Sequence, residues 1–451
     1  MAQRHEFSSS LLLCGSYWPK TGTLGTDPIV CTRGPEFGAT PLLPIVGNLF
    51  QLDRKAPYKS VLKSYGPVVK LDMGPQRVVF LVGYNTVKEA LVDQADDFIG
   101  RGPLPFIYFT LTTLRDFGMG RKGMEQWIQE ESSHLVERIK TINGEPFDPT
   151  YFLSCSVSNI ICCLVFGQRF SYDDQHFLHL LQIISHTLIS ISSPWAVLYN
   201  IFPRLMEWLP GGHHKAFARI EELRQFVIEK DQEHEDTLDM NSPRDYIDCF
   251  LTRGKDMPTE FHYENLISTV FNLFLGGTET TSSTIRFALN VLIKYPEIQE
   301  KMQKEIDSII GQERCPFMED RKSLHFVDAV LQEAFYGYCA SGSPGTMIFP
   351  MLHSVLKEET QWTTPLSFNP QHFLDETMET SRKIQHFFPF PQERGLVLGN
   401  LARMEMFLFL VTLLQRFTFT CPGGPDSIDL SPEFSSFANV HRRYNIIATL
   451  Q

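Results

Sequence analysis

The stretch from Tyr263 to Lys294 constrains this chain more than any other, because it reads as one unusually long helix with a centre made of helix-weakening residues. At 1.5 Å per residue it spans on the order of 45 Å, enough to cross a whole domain. Pro296, just beyond it, is suited to open the next helix. The centre runs Phe274-Leu275-Gly276-Gly277-Thr278-Glu279-Thr280-Thr281-Ser282-Ser283-Thr284. Each glycine costs roughly 1 kcal/mol relative to alanine, and the Thr and Ser residues weaken the segment further. Gly276, Thr280 and Thr284 are four residues apart and share a face. Two readings fit these residues. In one, the face over Gly276 is left open, with the Thr280 hydroxyl and the Glu279 carboxyl beside it for a small polar ligand and proton delivery. In the other, the glycines permit a close helix crossing and the threonines bond back to the preceding turn.

Around this helix the pattern is that of one mainly α domain with a small β region. Residues 1–36 are rich in Ser, Thr, Gly and Pro without periodicity and read as an irregular N-terminal segment, leaving 37–451 as a single domain. Val68–Leu71 and Val78–Val82 flank Gly74-Pro75, the pattern of two short strands joined by a turn. A helix opens at Asn85, helices dominate from about 123 to 310, and two more are expected at Leu324–Phe335 and Leu401–Phe417. No repeat or low-complexity tract interrupts them. Hydrophobic residues make up 43% of the chain, ample for a core. The 36 phenylalanines are compatible with broad apolar cavities or with a plain aromatic core. A formal charge of −12 argues against nucleic acid as a partner, since phosphate contacts need clustered Lys and Arg. The nine cysteines show no C-x-x-C spacing, and Cys162-Cys163 sits in an apolar stretch, which points to reduced thiols. Leu11-Leu12-Leu13 is the only apolar cluster near the start, far short of the ~20 residues that span a bilayer.

Gly276-Gly277-Thr278-Glu279-Thr280 resembles the oxygen-binding motif of the cytochrome P-450 superfamily, small-Gly-x-acid-Thr. Further segments are similar to the vertebrate microsomal, xenobiotic-type branch, in that family's order. The proline-bearing run Pro41 to Leu49 resembles its hinge. Leu114 to Gly120 resembles the start of its fourth helix, and Leu209-Pro210-Gly211-Gly212-His213-His214 a loop on its membrane-facing side. Phe368-Asn369-Pro370-Gln371-His372-Phe373 matches its aromatic-proline motif, and Leu401-Ala402-Arg403-Met404-Glu405 the helix after its haem-proximal loop. The resemblance runs from about residue 40 to the C-terminus. It implies the cytochrome P-450 fold, with the long central helix over the haem site.

The same comparison exposes what is missing. The family's loop Phe-x-x-Gly-x-Arg-x-Cys-x-Gly corresponds to Phe390-Pro391-Gln392-Glu393-Arg394-Gly395-Leu396-Val397-Leu398-Gly399. Phe390, Arg394 and Gly399 keep their places, but Val397 stands where the haem-ligating cysteine belongs and Glu393 where the turn glycine belongs. Valine has no lone pair, so thiolate ligation, which drives O–O cleavage in the family, is excluded. The Glu-x-x-Arg pair reads Glu333-Ala334-Phe335-Tyr336, which leaves the carboxylate without its guanidinium. Blocks are missing between Tyr338 and Pro344 and between Arg101 and Leu114, and with them propionate contacts. Pro391 to Leu398 is what a family-like peptide, Ser-Ala-Gly-Lys-Arg-Ala-Cys-Leu-Gly, gives when one choice of its synonymous codons is read one nucleotide later. That points to a frame slip in a decayed gene or in the gene model.

The resemblance implies a haem b monooxygenase that inserts oxygen into small apolar organic substrates with electrons from NADPH through a cytochrome reductase. Thr280 and Glu279 would be its proton-delivering residues. Gly276 and Gly277 would bound the oxygen site, and Phe390, Arg394 and Gly399 would cradle the haem. It further implies the cytoplasmic face of the endoplasmic reticulum membrane, whereas an N-terminus without an apolar anchor fits a cytoplasmic chain. The expectation for this exact sequence is an impaired enzyme, the alternative being a non-catalytic remnant or gene-model product. The His213-His214 pair is expected to be an exposed loop pair, and Trp195 a packing or membrane-facing residue.

Overall fold

A computed structural model describes residues 47–48, 66–73, 76–94, 122–191, 199, 202–239, 242–256, 263–334, 347–351, 354–355, 358, 362–364, 367–375, 396–435 and 439–451. The alternating apolar runs near the start form an antiparallel pair, β1 (Val68–Met73) and β2 (Gln76–Leu81), with Val68 opposite Leu81 and Met73 opposite Gln76. Val69 and Leu71 are fully buried, as strand alternation requires. α1 (Tyr84–Lys88) follows and passes into one π turn, Glu89–Asp93. Gly47 lies against β1 with φ +61°, and a Cβ there would stand 2.0 Å from the Asp72 carbonyl oxygen. The adjoining Asn48 completes the junction. Its amide donates to Asp72 O at 2.7 Å, while the Asp72 amide donates to Asn48 Oδ1 at 3.0 Å.

The helical body comprises α2 (Lys122–Lys140), α3 (Thr150–Phe166), α4 (Gln175–Ile191), α5 (Gly212–Thr237), α6 (Tyr246–Asp256), α7 (Tyr263–Gly277), α8 (Glu279–Lys294), α9 (Pro296–Ile309) and α10 (His325–Ala334). Then come β3 (Met347–Pro350), α11 (Leu396–Arg416), β4 (Phe417–Thr420), β5 (Pro432–Ser435), β6 (Asn439–His441) and β7 (Ile447–Leu450). β3 adds to β2 in parallel, while β4 pairs with β7 and β5 with β6, both antiparallel. Pro296 occupies the first turn of α9, as read from the sequence.

Two helices are apolar around most of their circumference, which marks them as core helices. α3 buries residues on every side between Leu153 and Phe166, and α11 buries Phe407 to Val411 without a gap. α7 packs against α3, and α8 touches both α3 and α11. A buried polar knot fixes α2 to α3. Glu131 accepts from Arg169 Nε at 2.6 Å and from the Tyr172 hydroxyl at 2.5 Å, while Asn159 Nδ2 donates to Phe170 O at 2.9 Å. Burial raises the Glu131 carboxyl above its usual value, and the Tyr172 and Arg169 bonds oppose that. Burial also pushes the Cys155 thiol up to about 12 and Cys162 well above its usual value, so these thiols act as packing groups. Among the described residues no helix is long and apolar enough to cross a membrane.

The sequence reading is corrected at two places. His213 is not an exposed loop residue. It lies in the first turn of α5, is 4% exposed, and its Nε2 donates to Met206 O at 2.8 Å. Gly211, in extended backbone, starts the helix one residue before the pair. Glu333, read as a carboxylate without a partner, accepts from the Asn369 amide at 3.4 Å and lies 3.9 Å from His372 Nδ1. The aromatic-proline segment therefore supplies polar contacts where the guanidinium is missing. Trp195 falls outside the described residues.

Candidate functional site

The long helix is two segments rather than one. α7 ends at Gly277 and α8 begins at Glu279, with Thr278 between them at φ −83°, ψ −66°. The cause is local. Thr280 Oγ1 donates to the Gly276 carbonyl at 2.5 Å, competing for the acceptor that a regular helix would give to a backbone amide. Thr284 Oγ1 makes the same back-bond to Thr280 O at 2.8 Å. The break is still spanned, since the Thr278 amide donates to Phe274 O at 3.1 Å and the Ser282 amide to Thr278 O at 3.0 Å.

The two glycines divide the two sequence readings between them. Gly277 is buried, and a Cβ there would lie 2.6 Å from Ile161 Cδ1, so it is the close crossing with α3. Gly276 is exposed, and a Cβ there would meet nothing within 4 Å. The exposed Gly276 leaves an uncovered patch of helix face, continuous with Asn272 one turn earlier, which is also exposed. Thr280 and Glu279 are both partly accessible beside it. Ser158 of α3 pins the far side of the break, its hydroxyl donating to Thr278 Oγ1 at 3.1 Å.

Behind the break lies a group the sequence reading did not single out. Glu405 of α11 is 1% exposed, and neither carboxylate oxygen has a hydrogen-bond partner. Thr281 of α8 is beside it, close enough to offset part of the burial but not aligned for a hydrogen bond, and its hydroxyl is also without a partner. Burial therefore drives the Glu405 carboxyl well above the ordinary carboxylate range. The sequence signal available was the one acid within the apolar run Met404 to Leu414.

On the opposite side, α11 starts at Leu396, five residues before the helix read from the sequence. Val397 and Gly399 consequently lie in its first turn, and Gly399 is buried. Phe390 and Arg394 lie outside the described residues. Cys421, the next cysteine along, is beyond the far end of α11, and its Sγ donates to Gly424 O at 3.1 Å.

Comparison with known proteins agrees with this layout. A family profile described as Cytochrome P450 matches residues 38–111, 108–335 and 343–447. Its joins at 108–111 and 335–343 fall where the sequence reading finds blocks missing. The chain is 41% identical to rabbit (Oryctolagus cuniculus) "Cytochrome P450 2G1" over 458 residues, covering 91% of this chain and 92% of that protein. It is 40% identical over 453 residues to "Cytochrome P450 2F3" of Capra hircus, covering 90% and 92%. With "Cytochrome P450 2C23" of Rattus norvegicus identity is 38% over 478 residues, covering 96% and 95%. A matched profile over most of the length, and relatives at this identity across nine-tenths of both chains, show that this chain belongs to the cytochrome P450 family of haem-dependent monooxygenases, in its vertebrate xenobiotic-type branch.

Proposed function

We propose that this chain keeps the family's distal, oxygen-handling helix but cannot ligate haem iron through a thiolate, so that its monooxygenase activity is impaired. The observation that carries the reading is Val397 in the first turn of α11, at the place of the family's cysteine. Haem when bound supplies the redox and oxygen-activating chemistry, while the protein contributes position and electrostatics. The distal side is compatible with such a group, because Gly276 leaves the helix face uncovered and Thr280 and Glu279 flank it, with the Thr280 hydroxyl donating to the Gly276 carbonyl. The proximal side does not fit thiolate ligation. An all-carbon side chain at 397 donates nothing to a metal, and Cys421 lies beyond the far end of α11, which is itself about 30 Å from Val397 along the axis.

In this reading Thr280 and Glu279 keep the proton-delivering positions, Gly276 bounds the oxygen site with Gly277 behind it against Ile161, and Phe390, Arg394 and Gly399 are what remains of the haem cradle. The family's need for a redox partner and an organic substrate narrows, on the same resemblance, to an NADPH-cytochrome reductase and small apolar compounds. The test is the spectrum of the reduced, CO-bound protein after reconstitution with haem b. We expect no Soret band of the thiolate-ligated type. Its appearance in the unmodified chain would overturn the proposal.

Membrane association at the cytoplasmic face of the endoplasmic reticulum is part of the same proposal. Its support is an apolar group just before α5, where Leu205 is 58%, Trp208 88% and Leu209 43% exposed. Such clustering suits insertion into the headgroup boundary. Trp208→Asp is expected to weaken cosedimentation with phosphatidylcholine vesicles several-fold. Equal binding by both proteins would count against this surface.

A further inference from the structure

Three helices meet at one buried carboxylate outside the glycine–threonine break. Asp245 is 1% exposed and precedes α6, where its Oδ1 accepts from the Asp248 amide at 3.0 Å and so caps that helix. Its Oδ2 is 2.6 Å from Nε2 of His234, near the end of α5. α3 ends at Gly167, in the left-handed conformation with φ +65°, and a Cβ there would lie 2.8 Å from the same Oδ2. His234 is itself 7% exposed, and its Nδ1 is 2.6 Å from the carbonyl oxygen of Lys230.

The charge state of the ring follows from its two partners. A carbonyl oxygen only accepts, so Nδ1 must carry a proton. An ionised carboxylate also only accepts, so Nε2 must carry one too, and a ring with both nitrogens donating is an imidazolium. Moving the second proton to Asp245 would preserve the contact, but a carboxyl is ordinarily the far stronger acid. We propose that His234 is a buried imidazolium clasp joining the ends of α3 and α5 to the start of α6, and that alkaline deprotonation is what opens it.

The surrounding charges agree. Asp245 and Asp248 face the ring from α6, and Asp231 acts on it from α5. Arg244 is committed to Asp248, with Nε to Oδ2 at 2.6 Å and Nη2 to Oδ1 at 2.9 Å. Burial works to lower the histidine's pKa, but the bond and charge of Asp245 outweigh it and the net direction is upward. The ligand atoms of His234, Asp245 and Asp248 lie within 4.8 Å of one another, but they are already engaged with each other and with Arg244 and Lys230. Both ring nitrogens and every carboxylate oxygen of the three already have hydrogen-bond partners.

Two measurements test the clasp. Long-range proton–nitrogen NMR of the histidine-labelled chain, with His234→Gln identifying its resonance among 14 histidines, is expected to show two protonated ring nitrogens at neutral pH. One unprotonated nitrogen there would overturn the proposal. The second compares unfolding of the native chain with that of His234→Gln as pH rises. The histidine's pKa is raised by folding, so its contribution is fully present below the ordinary histidine value. It is lost as pH climbs through the folded value, with the native folding constant falling about tenfold per pH unit relative to the variant. A pH-independent difference would also overturn it. If the variant does not fold, Asp245→Asn removes the partner instead, and the His234 titration is expected to fall toward the ordinary range.

Discussion

Glu405→Gln is expected to stabilise the protein at neutral pH, and increasingly so as pH rises. Both oxygens of the native carboxyl are buried without hydrogen-bond partners, so the folded chain holds it as the neutral acid. The unfolded chain ionises it near the usual value of 4.5. Between that value and the raised folded one, the native state binds one proton more than the unfolded state. Stability therefore falls with pH, by about 1.4 kcal/mol per unit. Glutamine has nearly the same shape and no proton to lose, so the variant lacks this slope. Urea unfolding of both proteins at a series of pH values, from just above the carboxylate range to mildly alkaline, reads the difference directly. Parallel pH dependences would mean that Glu405 is ionised in the fold. His234→Gln serves as the control, because its difference from the native chain starts to change only at the ordinary histidine value.

The adjacent glycines at the helix break are expected to respond in opposite directions. Gly276→Ala places a methyl into open space and relieves the backbone entropy of a helical glycine, a gain of about 1 kcal/mol. Gly277→Val drives branched carbon into Ile161, which already lies inside contact distance of the first added atom, and a loss of about 1–3 kcal/mol follows. The readout is the urea midpoint at unchanged slope. Equal shifts for the two variants would show that the break has no open and closed side.

How much of this was readable in advance depended on whether the cause was local. The β1–β2 hairpin was legible because alternation and Gly74-Pro75 lie within one short window. Pro296 likewise announced the start of α9. β3 was not legible, because its pairing with β2 joins residues far apart in sequence and needs the fold to exist first. The interruption at Thr278 was missed although its ingredients were all noticed. Hydrophobic periodicity does not register a side-chain hydroxyl taking a backbone acceptor. At the candidate site, the pair Gly276-Gly277 was rightly singled out, but which glycine faces space and which faces α3 was set by Ile161, over a hundred residues away. Glu405 passed as one position in a matched motif, since nothing in a linear pattern shows that a carboxyl lacks partners. His213 was misjudged because Gly211-Gly212 reads as loop chemistry, whereas Gly211 starts a helix that turns His213 inward.

The junction between α7 and α8 carries contacts of Thr280 on Gly276, of Ser158 on Thr278 and of Ile161 against Gly277. All three contacts are internal to the polypeptide, so the local shape of this helix owes nothing to iron. A lineage that lost its metal ligand would therefore still be selected, for folding alone, to keep the glycines and threonines in place. Preservation of the oxygen motif is then a record of packing history rather than a certificate of turnover. In this family the presence or absence of the cysteine is the more informative character for sorting working enzymes from inherited scaffolds.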